Sequence, residues 1–135
     1  MMEILFRGKR TDNGEWMEGA FLNDRDGAFY ICPAVSDISY GDGGNRRRIG
    51  CWYKVDPSTV GQYTGLKDKN GKRIFEGDIV QAHFKTNHSK QIFRVTFDDG
   101  MFIFNNGYVK LPVRGIYGIK VIGNIHDDPD LLKGE

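Results

Sequence analysis

The stretch QIFRVTFDDGMFIFNNGYVKL, Gln91–Leu111, decides the fold class. Phe93, Val95 and Phe97 alternate with Ile92, Arg94 and Thr96, the period of two that a strand with one buried face requires. Asp99-Gly100 is the dipeptide of a two-residue type I′ hairpin turn, which sets Phe97 opposite Phe102 and Val95 opposite Phe104. Asn106-Gly107 repeats the device and predicts Phe104 against Val109 and Phe102 against Leu111. Upstream, Val80–Thr86 alternates Val80, Ala82 and Phe84 with Gln81, His83 and Lys85. With Asn87–Lys90 as the loop, Phe84 falls opposite Phe93, Ala82 opposite Val95 and Val80 opposite Phe97. Downstream of Pro112, VRGIYG is too short for an ordinary helix, and IKVIGNI alternates again as a fifth strand. Five short twisted strands with one apolar face predict a sheet that curls until its last strand meets its first, an SH3-like five-stranded barrel.

The turns leading into this unit have identifiable parts. Gly77 in Phe75-Glu76-Gly77-Asp78 supplies a positive φ, and Asp78 is placed to accept from nearby backbone N–H groups. Lys69-Asn70-Gly71-Lys72 is likewise a hairpin or tight-turn signal, with Gly71 as a turn residue. Eighteen glycines in 135 residues, about twice the usual share of ~7%, extend this turn-rich, mostly β reading to the whole chain. The length suits two small β units sharing a core, because ~60 residues bury barely enough surface to fold alone. We place them at 1–63, with a flexible loop near 36–50, and 64–135. Asn13-Gly14, Glu18-Gly19 and Asp26-Gly27 echo Asn70-Gly71, Glu76-Gly77 and Asp99-Gly100 in order, and this leaves open whether the halves are a duplication.

No apolar run approaches the ~18 residues that span a membrane, and MMEILFRGKR carries no apolar secretory core, so the expectation is a cytoplasmic protein with Cys32 and Cys51 as buried free thiols. Whether the two cysteines are neighbours is open at this point. Net charge is +1 and the isoelectric point about 7.8, below the ~9 of dedicated nucleic-acid domains.

The segments Phe6-Arg7-Gly8-Lys9-Arg10, Asn13-Gly14-Glu15-Trp16, VDPSTVGQYTGLKDKNGKRIFEGDIV, Phe97-Asp98-Asp99-Gly100 and VIGNIHDDPDLL occur in this order along nearly the whole chain. Together they resemble the YopX family of phage and prophage proteins. The resemblance implies a β-rich protein with an SH3-type barrel in its C-terminal part, encoded by a phage or prophage of a bacterial host, and no established activity. Members of that family often carry Tyr where this chain has His126, which weakens a catalytic role for that residue.

The chemistry-bearing residues divide unevenly. There is no GxSxG, no phosphate-binding GxxxxGK[ST] and no CxxC pair, so the expectation is a protein without catalytic residues, cofactor or metal. His126, Asp127, Asp128 and Asp130 offer metal-ligand types, yet Asp128-Pro129-Asp130 also spells a helix start with Asp128 as N-cap. His83 and His88 read as exposed. Arg46, Arg47 and Arg48 beside Trp52, Tyr53 and Lys54, extended by Arg7, Lys9 and Arg10, form the one basic and aromatic patch suited to single-stranded nucleic acid. The leading functional reading is a small protein-binding module or adaptor with an unidentified protein partner. Nucleic-acid binding through the Arg46–Arg48 loop and a phage structural or assembly role, with homo-oligomerisation, stand beside it.

Overall fold

The computed structural model describes residues 4–33, 40–41, 46–47 and 52–133, with 40–41 and 46–47 as backbone alone. The described residues are mostly β and contain no α-helix. They form two compact units, Met1–Gln62 and Tyr63–Glu135.

In the first unit β1 (Phe6–Lys9), β2 (Trp16–Asn23), β3 (Phe29–Cys32) and β6 (Tyr53–Val55) lie antiparallel in the order β6-β3-β2-β1. The turn after β1 is closed by Arg10 N–H donating to the Glu15 carbonyl, 2.8 Å, and Gly14 N–H to the Arg10 carbonyl, 3.0 Å. Arg10 also bridges Val55, and Thr11 N–H donates to the Lys54 carbonyl, so the end of β1 reaches β6. Ile31 and Val55 are fully buried. Phe21 packs between Phe6 and Phe29 with both centroid separations 5.1 Å. Glu18-Gly19, which echoes a turn in the sequence, lies inside β2, whereas Glu76-Gly77 is a turn; at this point the two halves do not match. Cys32 is buried and disulfide-bonded, which corrects the expectation of a free thiol there; Cys51 lies outside the described residues. Of the 36–50 loop, β4 (Tyr40–Gly41) pairs with β5 (Arg46–Arg47). The rest of that segment lies outside the described residues.

Strand β7 (Gly61–Lys67) pairs at its first residues with β1 in the first unit, and its later residues pair with β8 (Arg73–Phe75) within the second. The second unit adds β9 (Asp78–Phe84), β10 (Lys90–Asp98), β11 (Met101–Asn105), β12 (Lys110–Leu111) and β13 (Ile116–Asn124), in the order β12-β11-β10-β9-β13. Val80, Ala82, Phe93, Val95, Phe104, Ile116 and Val121 bury their apolar faces together with Ile74.

The Asp99-Gly100 hairpin has the expected register, Phe97 to Phe102 and Val95 to Phe104. Asp99 and Gly100 hold φ of 52° and 78°, the left-handed pair that a type I′ turn needs. Gly100→Val is therefore expected to cost about 1–2 kcal/mol, seen as a lower urea midpoint with unchanged slope. No change in midpoint would contradict the turn assignment.

Two registers differ from expectation. Phe93 faces Val80, not Phe84, a displacement of four residues. The hairpin closes at Phe84 and Ser89, where the Asn87 carboxamide oxygen accepts from the Ser89 N–H and hydroxyl and His88 takes φ 63°. An even displacement keeps every side chain on its expected face. Leu111, not Val109, faces Phe104. Asn106 Oδ1 accepts from Tyr108 N–H and Val109 N–H, making Gly107 (φ 91°) and Tyr108 the central pair of that turn.

The fifth strand does return beside the first, β13 against β9, but the expected barrel does not close. β12 and β13 remain the two edges of the sheet. The physical reason is that β12 has only two residues and is followed by Pro112, which has no N–H to donate. Gly77 (φ 92°) turns the chain into β9, and Phe75 N–H donates 2.8 Å to the fully buried Asp78 carboxylate, as the sequence predicts.

Candidate functional site

In the second unit the chain must cross from one edge of the sheet, β12, to the other, β13. It does so through a 3-10 turn, Val113–Gly115, in which Gly115 N–H donates to the Pro112 carbonyl at 3.0 Å. Lys85 N–H donates 3.1 Å to the Gly115 carbonyl, so the loop after β9 and this crossing are tied directly together. Between them lies a cavity of about 690 Å³. Phe84, Val109, Leu111 and Pro112 supply its apolar surface. The Phe84 ring meets the fully buried Phe93 edge-on at 5.6 Å, which roots the cavity in the core. Lys85, Thr86, Asn87 and Arg114 supply polar groups.

Next to this loop, the His83 ring stacks on Tyr117 at 5.1 Å, and the Tyr117 hydroxyl lies 3.0 Å from His88 Nδ1. His83 Nδ1 is buried with no hydrogen-bond partner, and a Cβ at Gly118 would come within 3.3 Å of it. His83 is thus not the solvated side chain that alternation predicts.

The acidic C-terminal segment has a structural organisation. Asn124 Oδ1 accepts from His126 N–H and Asp127 N–H, while Asn124 N–H donates to Asp128 Oδ2 at 3.2 Å. Asp128 precedes a 3-10 turn with Pro129 at its start, but its carboxylate does not cap that turn; it turns back to Asn124. Among the described residues no group of three or more His, Cys, Asp or Glu side chains is placed to hold a metal ion.

Part of the basic and aromatic patch of the first unit lies among the described residues. Arg46 and Arg47 form β5, and Arg48 lies outside the described residues. Trp52 and Tyr53 are half-buried and Lys54 is exposed. The Arg10 guanidinium sits 4.3 Å over the Tyr53 ring and donates to both Asp12 carboxylate oxygens, at 2.9 and 2.6 Å. That hydrogen bonding holds the Asp12 carboxyl below its ordinary range and raises Arg10. The buried Arg7 lies 4.8 Å over Trp16, and Lys9 5.7 Å over the same ring. These rings already carry cations.

Sequence reasoning did not find the cavity. Its walls come from two segments far apart in the chain, brought together where β9 pairs with β13, Phe84 with Ile116, and the Lys85–Gly115 hydrogen bond continues that pairing. It also passed over Asp68, a buried carboxylate that accepts from Asn70 N–H and Lys72 N–H on one oxygen and Val121 N–H on the other, all at 2.9 Å. Its only sequence signal was an acid one residue before a Lys-Asn-Gly turn.

The family described as YopX protein matches residues 5–133. No curated protein matches the chain. A crystal structure of protein EF1440 from Enterococcus faecalis is similar over 98% of this chain and 99% of that one, at 30% identity and a TM-score of 0.66. With a match over almost its full length, the chain belongs to the YopX protein family.

Proposed function

We propose that this is a binding module that holds a short segment of a protein partner in the cavity of the second unit. The observation that carries this reading is the cavity itself: about 690 Å³, within the ~300–1,000 Å³ typical of ligand sites, lined by apolar side chains and a few polar groups. Its two walls are tied by the Lys85–Gly115 hydrogen bond, so little ordering is needed on binding. We read the five strands, with the fifth returning beside the first, as an open relative of the SH3-like barrel, and the protein as a phage or prophage accessory factor acting in the host cytoplasm. No catalytic step, cofactor or metal is assigned to it. Among the described residues no helix is long and apolar enough to cross a membrane.

Nucleic-acid binding stands second, because Arg10 already lies over the Tyr53 ring that would stack on a base. A structural or assembly role stands third and would appear as self-association in sedimentation.

The test is selection of random twelve-residue peptides on the wild type and on Thr86→Trp, which places an indole at the rim from an exposed loop position. Peptides retained by the wild type and lost on Thr86→Trp, at unchanged melting temperature, are the expected result. Selected peptides that bind both proteins equally, or no selection at all, would overturn the assignment of the cavity.

A further inference from the structure

The two charged residues lining the cavity, Lys85 and Arg114, are both cationic. Among the described residues neither side chain takes part in an ion pair. This contrasts with Lys110, on the neighbouring strand β12, whose ammonium meets Asp98 at 3.3 Å. Lys85 and Arg114 come from two different segments of the lining, the loop after β9 and the 3-10 turn, which the Lys85–Gly115 backbone bond ties together. Leu111 and Pro112 lie beside them with Phe84. The arrangement is a pair of cations without an ion-pair partner among the described residues, lining one apolar recess.

We infer that the cavity selects a peptide in which a bulky apolar side chain stands next to a carboxylate, the apolar group entering between Phe84 and Leu111 and the carboxylate pairing with Lys85 and Arg114. This rests on the reading of the cavity as a peptide site. Arg114 offers the planar fork that engages both oxygens of a carboxylate, and Lys85 adds a mobile point charge. A carboxylate held between two cations near an apolar wall gains more than one at an open surface, because the wall excludes part of the screening water. An apolar segment without the acid would leave both cations partly desolvated and unpaired. The acid therefore decides which apolar segments bind.

The experiment takes the peptides selected on the full-length wild type and measures their affinity by fluorescence anisotropy, for the wild type and for Lys85→Glu/Arg114→Glu, between 50 and 500 mM NaCl. Expected are enrichment of Asp or Glu beside an apolar residue, weakening of about tenfold or more on charge reversal, and loss of affinity as salt rises. The single variants Lys85→Gln and Arg114→Gln should each give an intermediate loss, which guards against a folding defect in the double variant. Peptides that depend on the open cavity, being lost on Thr86→Trp, but show no acidic enrichment and tolerate charge reversal would overturn this inference while leaving the peptide site intact. Peptides indifferent to Thr86→Trp would remove both. If a mixed-sequence oligonucleotide binds the wild type and is displaced from Lys85→Glu/Arg114→Glu while acidic peptides are not bound, the cations serve phosphate and the inference falls.

Discussion

Gly19→Ala is expected to cost the first unit about 3 kcal/mol or more, because the collision it creates is with backbone. Gly19 sits in the middle of β2, opposite Phe6 on one side and next to the Ala20–Cys32 pair on the other. A Cβ there would collide with the Cys32 carbonyl oxygen and lie 2.6 Å from its carbon and 3.0 Å from the Pro33 Cα. A flexible side chain can swing away from such an approach. A carbonyl in a paired strand can do so only by giving up sheet geometry. Both tryptophans of the chain, Trp16 and Trp52, belong to Met1–Gln62, so tryptophan emission during urea denaturation reports this unit. Gly14→Ala is the matched comparison: Gly14 has φ 73° but nothing within 4 Å of an added Cβ, so only the left-handed backbone is penalised, by about 1–2 kcal/mol. Equal losses for the two variants would show that the close approach at Gly19 does not exist in solution.

Gly19 also illustrates what a sequence leaves hidden. Its dipeptide, Glu18-Gly19, resembles the Glu76-Gly77 turn, but the reason for a glycine at 19 is the backbone of β3, which no neighbouring residue in the chain announces. The Asp99-Gly100 hairpin was legible to the residue pair because a two-residue turn fixes register by itself. Between β9 and β10 the period of two fixed the buried face and nothing more, so Val80, Ala82, Phe93 and Val95 are in the core although their cross-strand partners are displaced by four residues. The return of β13 to β9 followed from the need to cover a sheet edge. Closure did not follow, because the length of β12 is set by where Asn106 folds its turn and where Pro112 removes a donor. The candidate site was the least legible part. Lys85 and Arg114 lie far apart in the chain and come to line one cavity only where β9 pairs with β13. The Arg46–Arg48 patch, conspicuous as text, reaches the described structure only as the backbone of Arg46 and Arg47.

Asp68→Ala is expected to destabilise the second unit by about 3 kcal/mol, because it leaves three backbone N–H groups without their acceptor and the Val121 N–H among them is buried. One carboxylate oxygen closes the Asn70-Gly71 turn between β7 and β8. The other reaches β13, where Lys69 N–H also donates to the Ile119 carbonyl at 2.9 Å. The hairpin and an otherwise open sheet edge are therefore joined by this one side chain and one backbone hydrogen bond. Burial pushes the Asp68 carboxyl up, but the hydrogen bonds from Val121, Lys72 and Asn70 outweigh it and hold the group below its ordinary value of 3.8. A depressed folded value means that the unfolded chain takes up the proton first as pH falls. Stability from this group is therefore fully present above the unfolded value of ~3.9 and declines as pH drops through the lower folded value. Urea midpoints followed by tyrosine signal or far-ultraviolet dichroism between pH 2 and 6 should show this decline in the wild type. Asp68→Asn keeps an acceptor oxygen for the turn and carries no titrating proton, so it should start from a lower midpoint and lose less between pH 4 and 2. A wild type and Asp68→Asn that fall in parallel over that range would place the acid sensitivity elsewhere, and a stable Asp68→Ala would show that the β7–β8 hairpin and β13 hold together without the carboxylate.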